Sequence, residues 1–213
     1  MSLDTQTING REVTAFACYF NNIPKDMIKY QRLVFDKFDM HLNQELETIN
    51  HAHYLDNVMR KIDADIYVFF DIDAIPLKPG IYEYIVDKVK DNNSIIGVEE
   101  APNHVDYRSV YAGPSCFGIT KPAYEKMGNP TFAGKAGRCD VAGELTFAAK
   151  ANDVNIHLFY IKSSYDNIWR CGENKRFGHG TTYEDWVYHQ FESPTMLYQI
   201  QFISKCKHVL AKP

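Results

Sequence analysis

The stretch IYVFFDIDAIPL, residues 66–77, determines how the rest of this chain is interpreted. Its first five residues are apolar or aromatic, which is typical of a strand buried on both faces of a sheet. Asp71 and Asp73 follow at positions i and i+2, so in extended backbone both carboxylates point to the same side. Pro76 lacks a backbone donor and ends the run. The pattern predicts a pair of acids at the carboxyl end of a central strand, where open α/β sheets bind their ligands.

Two carboxylates at the edge of a sheet favour a hard divalent cation such as Mn²⁺ or Mg²⁺, because these ions prefer oxygen ligands. The D-x-D pattern alone is weak, since residues 63–65 (DAD) have the same form in what we interpret as a solvated turn. Asp71 and Asp73 differ in context, with an apolar strand before them and Ile-Pro-Leu after them. We therefore predict that Asp71 and Asp73 hold the cation; a solvated strand end is the alternative.

The composition is typical of one globular domain spanning residues 1–213, which can also be part of a longer chain. With 45% hydrophobic and 14% aromatic residues, the chain can bury a sizeable core. The formal net charge of −4, without a Lys/Arg block, argues against nucleic acid as a main partner. Neither a membrane span nor a secretory signal is expected. Five scattered cysteines without a C-x-x-C predict reduced thiols, which favours a cytoplasmic location.

Strand and helix patterns alternate along the chain, which predicts a three-layer α/β sandwich with a mostly parallel central sheet flanked by helices. Strands are predicted over 13–20, 40–42, 66–70, 94–98, 110–119 and 156–161. Helices are predicted over 24–38, 54–62, 81–89, 122–128 and 140–151, with a partly helical stretch over 186–198. The remaining segments are expected to be a polar loop over 99–109, a mobile Gly-rich loop over 129–138 and irregular structure over 163–182.

Four segments carry a resemblance to a known family: AFACY at 15–19, DID at 71–73, YAGPSCFG at 111–118 and DVAGE at 140–144. Together they resemble the GT-A fold of nucleotide-sugar glycosyltransferases. A Gly-flanked histidine, His179 in FGHG at 177–180, stands where many retaining members of that family place a third metal ligand. The sequence looks most similar to the glycosyltransferase domain encoded by chlorella viruses. The resemblance spans nearly the whole chain, but only the D-x-D is a strong motif, and the other segments match by position.

The resemblance implies a set of ligand-binding residues. In this family the first strand contacts the uracil of a UDP-sugar, the D-x-D reaches the ribose and the metal, and the third segment flanks the donor sugar. The implied donor contacts are Ala17, Cys18, Tyr19, Arg60, Asp71, Ile72, Asp73, Gly113 and Ser115. The implied metal ligands are Asp71, Asp73 and His179, with His189, on a predicted helix, as the reserve.

The implied reaction transfers a hexose or deoxyhexose, with UDP-glucose as the default donor, to a glycan or glycoprotein acceptor in glycan synthesis. A bound Mn²⁺ or Mg²⁺ would stabilise the departing diphosphate as a Lewis acid. The transition state resembles an oxocarbenium ion, which a nearby carboxylate can stabilise, and Asp140 and Glu144 are the candidates. Asp140 is equally well explained as a helix cap, and Glu144 as a solvated helix residue. His179 and the lack of an obvious base motif favour retention of configuration.

Three other readings compete with this one. A haloacid-dehalogenase-type phosphatase also places an apolar strand before D-x-D, with Asp71 as nucleophile, but that motif normally lies near the N-terminus and continues differently. A sugar-nucleotide pyrophosphorylase needs a Gly-rich, basic loop after its first strand, and residues 19–22 (YFNN) do not form one. A non-catalytic sugar-nucleotide-binding module would retain Asp71 and Asp73 while Asp140 and Glu144 were only structural.

Overall fold

The structure, a computed structural model, describes residues 3–102 and 109–213. In these ranges the strands are β1 (Gln6–Ile8), β2 (Arg11–Tyr19), β3 (Asn43–Leu46), β4 (Ile66–Phe70), β5 (Ala74–Pro76), β6 (Ser94–Glu100), β7 (Tyr111–Thr120), β8 (Asn155–Phe159), β9 (Ile161–Ser163), β10 (Trp169–Cys171), β11 (Lys175–Phe177), β12 (Thr181–Tyr183) and β13 (Val187–His189). The helices are α1 (Lys25–Lys37), α2 (His51–Lys61), α3 (Ile81–Val89), α4 (Lys121–Lys126), α5 (Gly143–Ala151) and α6 (Met196–Ala211).

The main sheet is mixed and mostly parallel, which confirms the predicted architecture of a sheet flanked by helices. Its order is β1-β2-β4-β7-β6-β8, with β3 also paired to β2. Strands β3, β2, β4, β6 and β8 run in one direction, because β7 is antiparallel to both of its neighbours. Helices α1 and α3 pack on one face of the sheet, whereas α2, α4 and α5 pack on the other.

Strand β4 is buried on both faces, as its unbroken apolar sequence predicts. Ile66, Val68 and Phe70 face the core under α1 and α3, and Phe70 meets the ring of Phe35 edge-on at 4.9 Å. Tyr67 and Phe69 face the opposite core. The alternation of side chains along a strand therefore divides this one segment between two hydrophobic layers, and its carboxyl end stays at the edge of the sheet.

A second, four-stranded sheet continues from the end of β4, with the order β5-β13-β12-β9. Strand β13 pairs antiparallel with β5, so His189 lies opposite Ala74. The predicted helical stretch over 186–198 is therefore wrong in its first part, and the predicted irregular segment 163–182 contains the hairpin of β10 and β11. Strands of three residues are too short to show a period-2 pattern, which is why the sequence does not reveal them.

Two predicted element boundaries also need correction. The short strand lies at Asn43–Leu46, not at 40–42, because Met40 and Leu42 are core residues of a loop. Strand β6 continues through Glu100 because Glu99 and Glu100 are buried and held by neighbouring polar groups, and residues 103–108 of the predicted loop lie outside the described residues. The loop 129–138 is anchored by the buried ring of Phe132.

Helix α5 begins at Gly143, three residues later than predicted. Its N-cap is Ala142, in the left-handed region at φ 66°, and no side chain caps the helix. Asp140 is therefore not the cap; its Oδ1 accepts a hydrogen bond from the Val141 amide instead. Asp140 therefore belongs to the connection before α5 and not to the helix.

Gln31 of α1 holds the turn between β4 and β5. Its fully buried amide donates to the Asp71 carbonyl at 2.7 Å and to the Ala74 carbonyl at 2.9 Å. Its oxygen accepts from Gln44 at 2.8 Å. The turn also closes on itself through the Ala74 amide, which donates to the Asp71 carbonyl. The direction of the D-x-D carboxylates thus depends on a helix that contributes no ligand.

We predict that Gln31→Met lowers the free energy of unfolding by about 1–3 kcal/mol, because it removes the side-chain donor that the carbonyls of Asp71 and Ala74 share. Urea titration followed by circular dichroism measures this change. Gln199→Met is the matched control, since its amide bonds the Pro194 carbonyl at an exposed position. Equal stability of the two variants would show that Gln31 does not hold the turn.

Candidate metal centre

Three potential metal ligands converge at the carboxyl edge of β4. Asp71 ends the strand, Asp73 lies in the following turn, and His189 is brought beside them by the pairing of β13 with β5. One ligand atom of each lies within 4.8 Å of the others. His189 Nε2 is 3.2 Å from Asp73 Oδ1 and 3.4 Å from Asp71 Oδ2. Asp73 and His189 are buried, whereas Asp71 is partly exposed.

The electrostatics of this group are dominated by negative charge in a buried setting. Burial disfavours the charged form of His189, but the carboxylate of Asp73, with help from Glu100 and Asp71, raises the pKa of the imidazole to about 10. Burial also raises the pKa of Asp71. For Asp73 the same burial is outweighed by His189, which lowers the pKa of that carboxyl. The imidazole of His189 therefore carries a proton at neutral pH, in a position where the surrounding carboxylates would also favour a metal cation.

The donor set fits a divalent cation. Two carboxylates and one imidazole suit Mn²⁺, and carboxylates alone suit Mg²⁺. Asp71 Oδ1 and His189 Nδ1 are buried and have no hydrogen-bond partner among the described residues. With Nε2 directed to the carboxylates, Nδ1 faces Glu100 Oε1 at 3.7 Å, the type of outer contact that orients metal-bound histidines.

Glu100 is positioned by residues that the sequence assigned to the donor sugar. The Ser115 hydroxyl donates to Glu100 Oε1 at 2.8 Å, and the Tyr111 hydroxyl lies 3.4 Å from Oε2. A Cβ at Gly113 would collide with the same carboxylate, so a larger residue there would displace Glu100. Ser115 is fully buried and directed to Glu100. Ser115 and Gly113 therefore position Glu100, an acid that the sequence analysis did not identify.

A cavity of about 240 Å³ opens beside the three ligands. Besides them, its polar wall is formed by His51, Glu100, Asp140 and Glu192. His51 Nε2 lies 3.3 Å from Asp71 Oδ1. His51 is the first residue of α2, directly after the Asn50 cap, which accepts a hydrogen bond from the His53 amide. That capping pattern after a strand is the one sequence signal that could have indicated His51.

His179 is not part of this group of ligands. Its Nδ1 lies 2.8 Å from Asp166 Oδ2 and its Nε2 lies 3.1 Å from Glu192 Oε2, while its ring stacks on Tyr198. The glycine before it permits a close approach, and the approaching group is Asp166, which a Cβ at Gly178 would displace. Among the described residues, the histidine beside Asp71 and Asp73 is thus His189, on a strand rather than on the predicted helix.

The other predicted site residues are spread around the edge of the sheet. Asp140 lines the cavity, whereas Glu144 accepts from Cys139 Sγ at 3.2 Å and lies 3.6 Å from Arg138 Nε. Arg60 is exposed at the far end of α2, about 14 Å along the axis from the first residue of that helix. It pairs with Asp56 there and does not line the cavity.

The predicted nucleotide-binding residues end strand β2, next to β4 in the sheet. Ala17 and Cys18 are buried, whereas Tyr19 is partly exposed. Ile72, between the two ligand acids, is buried in the core beneath α1 and α6. Contacts of these residues with a nucleotide stay predictions.

Comparisons with known proteins give only distant structural likenesses. No protein-family model and no curated protein matches this chain. The structure is similar to a putative glucose-1-phosphate thymidylyltransferase from Bacillus anthracis (8% identity, 92% of this chain and 95% of that chain, TM-score 0.48). It is also similar to A197 from STIV (12% identity, 70% and 81%, TM-score 0.46).

A glycosyltransferase involved in the glycosylation of the major capsid of PBCV-1 matches more weakly. It is 13% identical, and the match covers 53% of this chain and 61% of that chain with a TM-score of 0.33. Likenesses at these TM-scores carry no argument about function, so the predicted resemblance to a viral glycosyltransferase stays a prediction. Within the described ranges, we also find no helix with the length and apolar character that a membrane crossing requires.

We predict that the affinity of the site for Mn²⁺ rises about tenfold per pH unit between about pH 6 and 8. The raised pKa of His189 keeps a proton on the imidazole in this range, so the cation must displace it, and displacement is easier as the proton concentration falls. Calorimetric titration in buffers of different ionisation enthalpy measures both the affinity and the released proton.

His189→Gln should weaken Mn²⁺ binding and abolish the proton release, whereas His53→Gln, at an exposed histidine of α2, should change neither. An affinity independent of pH in the unaltered protein would contradict coordination by His189.

Proposed function

We propose that this chain is a GT-A glycosyltransferase that transfers a hexose from a UDP-sugar to a glycan acceptor with the help of a divalent cation. The observation that carries the proposal is the group Asp71, Asp73 and His189 at the carboxyl edge of a mixed α/β sheet, beside an open cavity. This is where open α/β sheets bind ligands.

Different residues around the cavity would contact different parts of the donor. Asp71 and Asp73 would hold Mn²⁺ or Mg²⁺, which, when bound, stabilises the negative charge that develops on the diphosphate leaving group. The resemblance implies that Ala17, Cys18 and Tyr19, at the end of β2 beside the end of β4, would contact the base. His51, next to Asp71, is placed to donate a hydrogen bond to a phosphate or ribose oxygen.

Asp140 is the candidate for the sugar-facing carboxylate. It lines the cavity together with the metal ligands, and the late start of α5 leaves its side chain at the cavity wall instead of on the helix end. A carboxylate in that position can orient sugar hydroxyls or stabilise an oxocarbenium-like transition state. Glu144 is half-buried and accepts a hydrogen bond from the Cys139 thiol. We therefore propose that it stabilises the loop before α5.

The metal dependence of nucleotide binding tests the proposal. Asp73→Ala should abolish Mn²⁺-dependent binding of UDP, because it removes a buried ligand and leaves the proton on His189 without its nearest carboxylate. Calorimetric titration of UDP, GDP and CMP with and without Mn²⁺ is the measurement.

Asp63→Ala is the matched control, since Asp63 belongs to the other D-x-D sequence and pairs with Lys121 at the surface. Unchanged UDP binding by Asp73→Ala would remove the central claim. Hydrolysis of a generic phosphomonoester, without nucleotide binding, would instead favour the phosphatase reading with Asp71 as nucleophile.

Asp140→Asn should lower kcat by about 10²-fold or more while changing the affinity for UDP little, because the variant removes charge near the sugar and leaves the metal ligands in place. Release of UDP from UDP-glucose in the presence of Mn²⁺ measures turnover, and calorimetry measures UDP affinity. Undiminished turnover would return Asp140 to a structural role.

A further inference from the structure

A larger cavity lies on the opposite face of the second sheet from the candidate metal centre. Tyr188 and His189 are consecutive residues of β13 and point to opposite faces. His189 lines the metal cavity, whereas Tyr188 lines this second cavity, which has a volume of about 670 Å³. Helix α6 forms the facing wall with Ile200, Gln201, Lys205 and other residues of the same helix face. We refer to this cavity as the α6 groove.

The α6 groove contains a partly buried cation without an acidic partner. Lys205 forms no ion pair or hydrogen bond with any residue in 3–102 or 109–213, and its amine lies 4.8 Å from the centre of the Tyr188 ring. Burial lowers the pKa of Lys205, with a smaller contribution from Lys212. Since an uncompensated, partly desolvated charge is costly, the side chain is well placed to gain from an anionic ligand.

The walls of the groove also offer aromatic and hydroxyl groups. The side chain of Tyr165 is 79% exposed at its rim. Gly180, at φ 65°, allows Tyr165 and Tyr188 to approach each other, because a Cβ there would lie 3.1 Å from the Tyr188 hydroxyl. Ser163 pairs with Thr182 across the floor. Flat rings beside hydroxyl and amide groups match the two surfaces of a sugar, its apolar C–H face and its hydroxyl edge.

The positive character continues beyond the groove. A neighbouring cavity of about 480 Å³ shares Thr182 and Lys205 with it and adds Lys37, Lys78 and Lys212. Asp185, which lines this neighbouring cavity, is already paired with Lys162 at 2.6 Å. A ligand lying along both cavities would therefore meet Lys205, Lys78 and Lys212, although the whole chain has a net charge of −4. The amine of Lys37 already donates to the carbonyls of Val209 and Leu210.

We propose that the α6 groove binds an acidic oligosaccharide, with a carboxylate of the sugar chain at Lys205 and a sugar ring against Tyr165 and Tyr188. The concave shape favours a slender chain over a flat membrane surface, and the mixture of rings and hydroxyls favours a carbohydrate over a bare anion. The groove contains none of the candidate metal ligands, so this proposal does not depend on the proposed reaction.

Calorimetric titration with tetragalacturonate, and with maltotetraose as the uncharged comparison, tests the proposal. We expect saturable binding of the acidic tetrasaccharide that weakens about tenfold in Lys205→Gln, because a charge-assisted contact is lost. Lys207→Gln is the matched control: it removes the same charge two residues along α6, where the amine lies over Tyr30 and outside the groove. It should weaken binding by less than about twofold.

Two further variants make the test independent of any one substitution. Tyr165→Ala should weaken binding of tetragalacturonate without changing the net charge, because it removes the ring at the rim. Asp73→Ala should leave that binding unchanged, so failure of the metal site and failure of the groove give different results.

The proposal is overturned if no saturable binding occurs, or if Lys205→Gln and Lys207→Gln weaken it equally. It is also overturned if sodium phosphate, or vesicles containing phosphatidylglycerol, bind with the same dependence on Lys205 while tetragalacturonate does not. Those outcomes would identify a simple anion site or a membrane-facing surface, respectively.

Discussion

The arrangement around the candidate metal centre depends on one balance of charge, the His189 imidazolium among the carboxylates of Asp71, Asp73 and Glu100. Three acids so close together and so little exposed would repel each other and pay a desolvation cost that packing alone does not offset. A positive charge between them stabilises the fold of this edge. The same requirement makes the site receptive to a cation, since a divalent ion can supply the charge that the proton supplies in its absence.

The side chains that position these charged groups belong to other parts of the fold. Gln31 fixes the carbonyls of the D-x-D turn, and Ser115 and Tyr111 fix Glu100. Directly after His189, Phe191 and Glu192 adopt left-handed backbone at φ 63° and 51°. Such conformations cost a non-glycine residue about 1–2 kcal/mol each, and two in succession are unusual outside functional sites. The strain turns Phe191 onto the His189 ring and Glu192 towards the cavity.

Sequence reasoning succeeded where a pattern was long enough to be periodic or continuous. The apolar run of β4 located both acids, because burial on two faces leaves no polar position until the strand ends. It did not locate His189, since a strand of three residues shows no period and its partner β5 lies more than a hundred residues away in sequence. It misplaced the start of α5 because the left-handed Ala142, invisible in composition, delays the helix past Asp140.

The second sheet separates two electrostatic environments that the net charge conceals. One face of β13 contributes to a cavity lined by five carboxylates, namely Asp71, Asp73, Glu100, Asp140 and Glu192. The other face contributes to a groove in which Lys205 has no acidic partner among the described residues. An acidic polymer would be repelled by the first surface and attracted by the second, so the potential itself would orient such a ligand on the molecule. Gln190, the residue directly after β13, contacts both sides. Its side-chain amide donates a hydrogen bond to Gln201 of α6, which lines the groove, and its backbone amide donates to the Asp73 carbonyl.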